Sequence, residues 1–301
     1  MAVLSENIRG ALLMMGAMGA YTVNDAFMKA VGVDLPLFQA IMIRGIGAVI
    51  CLTIMCRVMG QLRFDLSGRD WGLVALRSAC EVAGTYFFLT ALLNMPIANI
   101  SAIMQVLPLS VALGAALFLR EPLGWRRLTA IAIGFAGVLL IIQPGGAAFN
   151  SFSIYALITV LCITCRDLTV RRMSSDVPPI LVALMAAIGV ALLGLLGALF
   201  SPWYPLTGAS ALQLGGATIF LIFGYIFSVM AMRVGEIGFV APFRYTSLIV
   251  ALILGVVFFA EWPNALTMLG ALIVVATGLF TLYRETRLRV RHPVVPDHLR
   301  D

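Results

Sequence analysis

Ten apolar runs, each about 20 residues long and parted by short polar breaks, fill most of this 301-residue chain and leave it few ways to fold. A run of that length, wound as a helix, spans a hydrocarbon core of about 30 Å. The runs cover 9–31, 37–57, 71–93, 96–118, 127–143, 151–170, 179–200, 211–232, 237–260 and 265–283. Lipid offers no water to satisfy a bare backbone, and the two-residue alternation of a membrane barrel is missing, so every run reads as a helix. Side chains are 61% hydrophobic and 11% charged, against roughly a quarter charged in soluble domains. No stretch between the runs reaches the roughly 50 residues that an independent domain needs. The predicted class is an all-α membrane protein with ten transmembrane helices and the lipid bilayer around it. The first run is not read as a cleaved leader, because Asn24, Asp25 and Lys29 lie near its end and no small-residue cleavage site follows.

The net charge of +6 would suggest nucleic acid in a soluble chain, but here the cations sit between the runs, where they orient helices. With the N-terminus in the cytoplasm, the inward segments hold Arg9, Arg57, Arg63, Arg69, Arg120, Arg126, Arg127, Arg171, Arg172, Arg233 and five arginines from Arg284 onward. The outward connections near 32–36, 94–96, 144–150, 201–210 and 261–264 hold no Lys or Arg. Both termini are therefore expected in the cytoplasm, and no nucleic-acid partner is expected.

The two halves overlay at an offset of about 140 residues. Ala98 through Phe118, Glu121, Pro122 and Gly137 falls on Gly238 through Phe258, Glu261, Pro263 and Gly278, and Asp25 with Lys29 falls on Asp167 with Arg171. The expected division is 1–143, 144–284 and a polar cytoplasmic tail at 285–301. Five is odd, so the second half enters the membrane inverted relative to the first. Inverted repeats of this kind build alternating-access carriers, with the solute site near the midplane between the halves.

Pro108, the run Phe118-Leu119-Arg120-Glu121-Pro122 followed by Gly134 and Gly137, and Ala241-Pro242-Phe243-Arg244-Tyr245-Thr246-Ser247-Leu248 leading to Phe258, Phe259, Glu261 and Pro263 together resemble the drug/metabolite transporter superfamily, and within it the EamA family of ten-helix carriers. The resemblance covers residues 8–283. Asn24-Asp25 with Lys29, Arg44-Gly45 and the Ala-Pro-Phe-Arg-Tyr segment look like bacterial importers of cofactor-type metabolites, notably riboflavin and S-adenosylmethionine carriers. The resemblance implies a bacterial inner-membrane protein with a central cavity among spans 1, 3, 4, 6, 8 and 9. A homodimer is left open.

Eight ionisable residues remain within the spans: Asp25, Lys29, Arg44, Arg77, Glu81, Arg166, Asp167 and Arg244. Each costs at least ~2.5–3.5 kcal/mol near the bilayer centre, so each needs a partner, a wet cavity or a route to the interface. Asp25 with Lys29, and Arg77 with Glu81, are four apart on one helix face and can neutralise locally. Arg166 and Asp167 point about 100 degrees apart and are expected to pair with other helices. Arg44 and Arg244 have no carboxylate at helical spacing. Arg77, Arg166 and Arg244 are near enough to span ends to snorkel instead, whereas Pro242 and Tyr245 suit a cavity wall around Arg244. Lys29, Arg77, Arg166 and Asp167 are candidates for gates or braces, and Asn24, Asp25, Arg44, Glu81, Tyr86, Gln105, Arg244 and Tyr245 for solute contact. Asn24, Tyr86 and Gln105 could equally bond between helices. Pro108 is expected to kink span 4.

Cys51, Cys56, Cys80, Cys162 and Cys165 lie in apolar runs and read as packers. Cys162 and Cys165 form C-x-x-C without a thioredoxin-like context. His292 and His298 lie in the tail beside Pro293 and Pro296, and no Walker loop is present. Neither metal nor cofactor is expected, and an embedded enzyme would need a convergent nucleophile or base that the spans do not offer. A channel would show a filter or charge ring. The expected activity is secondary transport of a small organic metabolite, for which unpaired arginines favour a carboxylate, phosphate or ring carbonyl and aromatics favour a flat ring. Riboflavin is the first expectation, S-adenosylmethionine the second, with amino-acid or metabolite efflux open. Proton coupling, where present, is expected to run through Glu81, the acid nearest the midplane.

Overall fold

A computed structural model describes residues 2–121, 124–146, 149–174, 176–234 and 237–291. Pro122, His292, His298 and the chain beyond Arg291 lie outside the described residues, as does the side chain of Arg233. Helices α1 (Ala2–Val31), α2 (Leu37–Val58) and α3 (Gly68–Asn94) form spans 1 to 3; α4 (Ile97–Met104) and α5 (Leu107–Phe118) form span 4, and α6 (Trp125–Ile142) span 5. In the second half α7 (Phe152–Val170), α8 (Pro179–Ala198) and α9 (Gly208–Val234) form spans 6 to 8. The short α10 (Ile237–Val240), a 3-10 turn at Ala241–Tyr245 and α11 (Thr246–Phe259) form span 9, and α12 (Ala265–Arg291) forms span 10. Nine of these spans are long and apolar enough to cross a membrane among the described residues. The tenth, α1, carries Asn24 and Asp25 on a 30-residue helix that packs along α9. Helix α12 runs past residue 283, so the tail expected to begin at 285 starts as a continuation of span 10.

Local chemistry sets the same signals in both halves. Ser67 Oγ accepts the Asp70 backbone N–H at 3.1 Å to cap α3; Thr207 Oγ1 does the same for Ser210 at 3.1 Å to cap α9, 140 residues later. Arg120 and Ala260 are both left-handed, at φ 57° and 53°, and the next residue in each case, Glu121 or Glu261, returns its N–H to the carbonyl of Ala115 or Gly255. Spans 4 and 9 break at matching places. Pro108 follows the interruption at Gln105 and Val106, and Pro242 sits in the 3-10 turn, since neither can donate within a helix.

The packing has the same symmetry. Exchanging span n with n + 5 turns the α1–α9 contact into α7–α3, α1–α11 into α7–α5, and α2–α9 into α8–α3, all of which exist. Three contacts, α2–α8, α6–α12 and α4–α11, map onto themselves. The molecule is thus two inverted five-helix repeats, interlaced so that its extensive packings join one half to the other. Glycines allow the closest crossings: a Cβ on Gly137 would stand 2.9 Å from the carbonyl oxygen of Gly270, and one on Gly45 would stand 2.9 Å from the Ala191 Cα.

Candidate functional site

A cavity of about 880 Å³ lies between the halves. It reaches the face that carries the arginine-rich connections, where Glu121, Arg127 and Arg171 line it, and it ends deep in the bundle at Asn24, Asp25 and Arg44. The break in span 4 places Gln105 in its wall, and the break in span 9 places Arg244 and Tyr245 there. The cavity expected among spans 1, 3, 4, 6, 8 and 9 is also lined by α2, through Arg44, Gly45 and Ala48, and by α8, through Ala183, Ala186 and Val190. Small residues there leave the space that larger side chains would fill.

At the blind end, Arg44 is 8% exposed. Its Nη1 donates to Asn24 Oδ1 at 3.3 Å, and Asn24 Nδ2 donates to Asp25 Oδ1 at 2.9 Å. The Arg44 Nε has no partner, so this buried guanidinium retains a free directed donor beside the cavity. Halfway along, Glu81 lies between two arginines, 3.7 Å from Arg77 Nη2 and 3.2 Å from Arg166 Nη1. Arg166 Nε also donates to Asp167 Oδ1 at 2.9 Å. Arg77 reaches the Val182 carbonyl as well, tying α3 to α8. This network belts α3 to α7, and removing its shared carboxylate should be felt. Glu81→Gln is expected to lower the melting temperature of the detergent-solubilised protein by about 2–5 °C, because a partly hydrated pair contributes about 1–2 kcal/mol, less than a dry one. A melting temperature that does not move would remove Glu81 from that structural role.

Several expected pairings are redirected by tertiary structure. Lys29 does not neutralise Asp25: its Nζ bonds Glu261 Oε1 at 2.7 Å and the Met95 carbonyl at 2.6 Å, because Lys29, one turn further along α1, meets the turn after α11 while Asp25 lies at the cavity. Arg166 and Asp167 pair with each other directly, since the long guanidinium bends across the angle between them; Arg166 also finds the expected partner on another helix. Tyr86 is not among the cavity-lining residues. Its ring stacks on Phe38, at 5.9 Å and 11°, and meets Phe87 edge-on. Gln105 both lines the cavity and donates to Ser247 Oγ at 2.8 Å. Arg244 lines the cavity and is exposed, and Tyr245 is buried beside it with an unpartnered hydroxyl. Residues that sequence reasoning passed over include Tyr21 and Tyr225, whose rings line the chamber, and Glu121 and Arg171 at its mouth. Tyr21 stands four residues before Asp25, a helical spacing that could have placed it on the same face.

The EamA-like transporter family model matches residues 8–143 and 150–283, one copy on each half. The chain belongs to the EamA-like transporter family. The carrier is 26% identical to the riboflavin transporter of Vibrio cholerae serotype O1 over 95% of this chain and 97% of the relative. It is 24% identical to an S-adenosylmethionine uptake transporter of Rickettsia prowazekii over 88% of this chain and 90% of the relative. It is also 22% identical to the pseudopaline exporter CntI of Pseudomonas aeruginosa, over 88% and 93%. A crystal structure at 17% identity superposes with a TM-score of 0.62 and covers 93% of this chain and 98% of its own, a likeness of fold. The protein is a multi-span transporter of small metabolites.

Proposed function

We propose that this protein imports riboflavin across a bacterial inner membrane by alternating access, with its arginine-rich face and both termini in the cytoplasm. The observation that carries the reading is the blind end of the cavity, where the free Nε of Arg44 and the carboxylate of Asp25 offer a donor and an acceptor side by side. A ring edge that alternates carbonyl oxygens with an N–H matches that pair, and Tyr21 and Tyr225 supply aromatic faces for the ring. The chamber volume falls within the roughly 300–1,000 Å³ of small-molecule sites. A relative named for riboflavin, matched nearly end to end, supports the same solute. The halves proposed to move are 1–143 and 144–284. No bond is made or broken, and the protein is no enzyme.

S-adenosylmethionine is the second reading, favoured by the three carboxylates Asp25, Glu81 and Asp167 around the chamber, which would suit a sulfonium and an ammonium. Expression in a riboflavin auxotroph lacking its own uptake system tests the first: growth on low external riboflavin is expected. Confirmed membrane expression without growth would overturn it, and uptake of labelled S-adenosylmethionine by the same cells would establish the second. Proton coupling, where present, is proposed to run through Glu81, the acid nearest the midplane, which lines the chamber between Arg77 and Arg166.

A further inference from the structure

Two ion pairs occupy equivalent places at opposite ends of the cavity. Lys29–Glu261 lies beyond its blind end, at 2.7 Å, and Arg171–Glu121 lies at its mouth, at 3.0 Å. The residues correspond across the repeat, Lys29 to Arg171 and Glu261 to Glu121, and both glutamates follow the same left-handed residue and the same return hydrogen bond. The pairs differ in surroundings. Lys29 and Glu261 are 11% and 19% exposed; Glu261 Oε2 also accepts the Ile97 N–H at 2.8 Å, and Lys29 lies over the Phe259 ring at 5.5 Å. Arg171 and Glu121 are 43% and 48% exposed and border open space. The first pair fastens the start of span 4 to the end of span 1 and the turn between spans 9 and 10, sealing that face.

We propose that Lys29–Glu261 and Arg171–Glu121 are the two gating pairs of the transport cycle, one tightening into a buried latch as the other loosens, and that this structure is the state open at the arginine-rich face. The inference rests on the carrier reading and not on the solute. An inverted repeat requires the second state to be the first with the halves' roles exchanged. The exposed pair must then become the buried one, and the present asymmetry measures which state is occupied. Because a latch biases an equilibrium between two arrangements, breaking one should favour the opposite state.

Pairs of spin labels in nanodiscs test this without transport or orientation. On a protein with its native cysteines replaced, labels at Val33 and Trp262 flank the Lys29–Glu261 pair, and labels at Arg126 and Asp176 flank the other; all four positions are exposed. Glu261→Gln and Lys29→Met are expected to raise the population with a long 33–262 distance and a short 126–176 distance about tenfold. Glu121→Gln and Arg171→Met should leave 33–262 short. The exchange Lys29→Glu with Glu261→Lys should restore the wild-type distances, and it keeps the test decisive where a single variant does not fold. Unchanged distances, the same shift from both pairs, or an exchange that restores nothing would overturn the proposal. Failure to carry riboflavin would leave these distances as they are.

Discussion

Replacing Arg44 with Gln is expected to reduce solute uptake by at least about a hundredfold while the protein stays folded and monodisperse. Its guanidinium is buried at the end of the chamber, holds Asn24 through Nη1 and keeps Nε free. Hydrogen bonds from a charged donor are worth about 1.5–3 kcal/mol each, and two lost together exceed the ~2.8 kcal/mol that corresponds to a hundredfold. Gln restores neither the charge nor the planar fork. Lys restores the charge alone, so Arg44→Lys should recover only a minor part. Initial rates of riboflavin uptake into proteoliposomes, compared at matched reconstitution, check both. A Gln variant running at the wild-type rate would show that Arg44 is a packing residue.

Gly137→Leu is expected to prevent assembly of the bundle, with the protein recovered as aggregate in mild detergent. The added side chain would start 2.9 Å from the Gly270 backbone and 3.0 Å from the Ile273 side chain, on the crossing between α6 and α12 that maps onto itself in the repeat. A neighbouring side chain could move, but the α12 backbone cannot move without separating the helices, so the cost exceeds the usual 1–3 kcal/mol of overpacking. Size-exclusion chromatography of the variant checks this. Gly72→Leu is the matched control, because a Cβ there meets open space, and it should elute like the wild type. An intact, monodisperse Gly137→Leu protein would sink the claim that this crossing is limited by backbone contact.

The helices and the inverted repeat were legible because lipid imposes one rule on every span: each must be apolar and about 20 residues long. Even the interruptions were foreseeable, since Pro108 and Pro242 remove donors inside spans 4 and 9. Seven of the eight residues expected to touch solute, Asn24, Asp25, Arg44, Glu81, Gln105, Arg244 and Tyr245, line the chamber, where intramembrane polar groups find water or partners. Tyr86 escaped the same logic, since its ring could be covered by Phe38 and Phe87 without a cavity. The partner of Lys29 was not legible. Helical spacing names Asp25, but only the assembled bundle brings the turn after α11 against the end of α1 and offers Glu261 together with the Met95 carbonyl. The repeat did hold a clue: Glu121 and Glu261 recur at one offset, each beside a cation from the end of span 6 or span 1.

The interlacing of the halves bears on how such a chain is made. Synthesis delivers the first five helices to the membrane before any of their main packing partners exist: α1 must wait for α9, α2 for α8, α3 for α7, and α6 for α12. During that interval Asn24 and Arg44 can satisfy one another, as can Arg77 and Glu81, whereas Lys29 has only Asp25, four residues back on its own helix, until Glu261 has been inserted. The residues that join early are the ones around the chamber, and the ion pair that seals it forms only when the last turn between spans is in place. The order of insertion therefore completes the vessel before its lid.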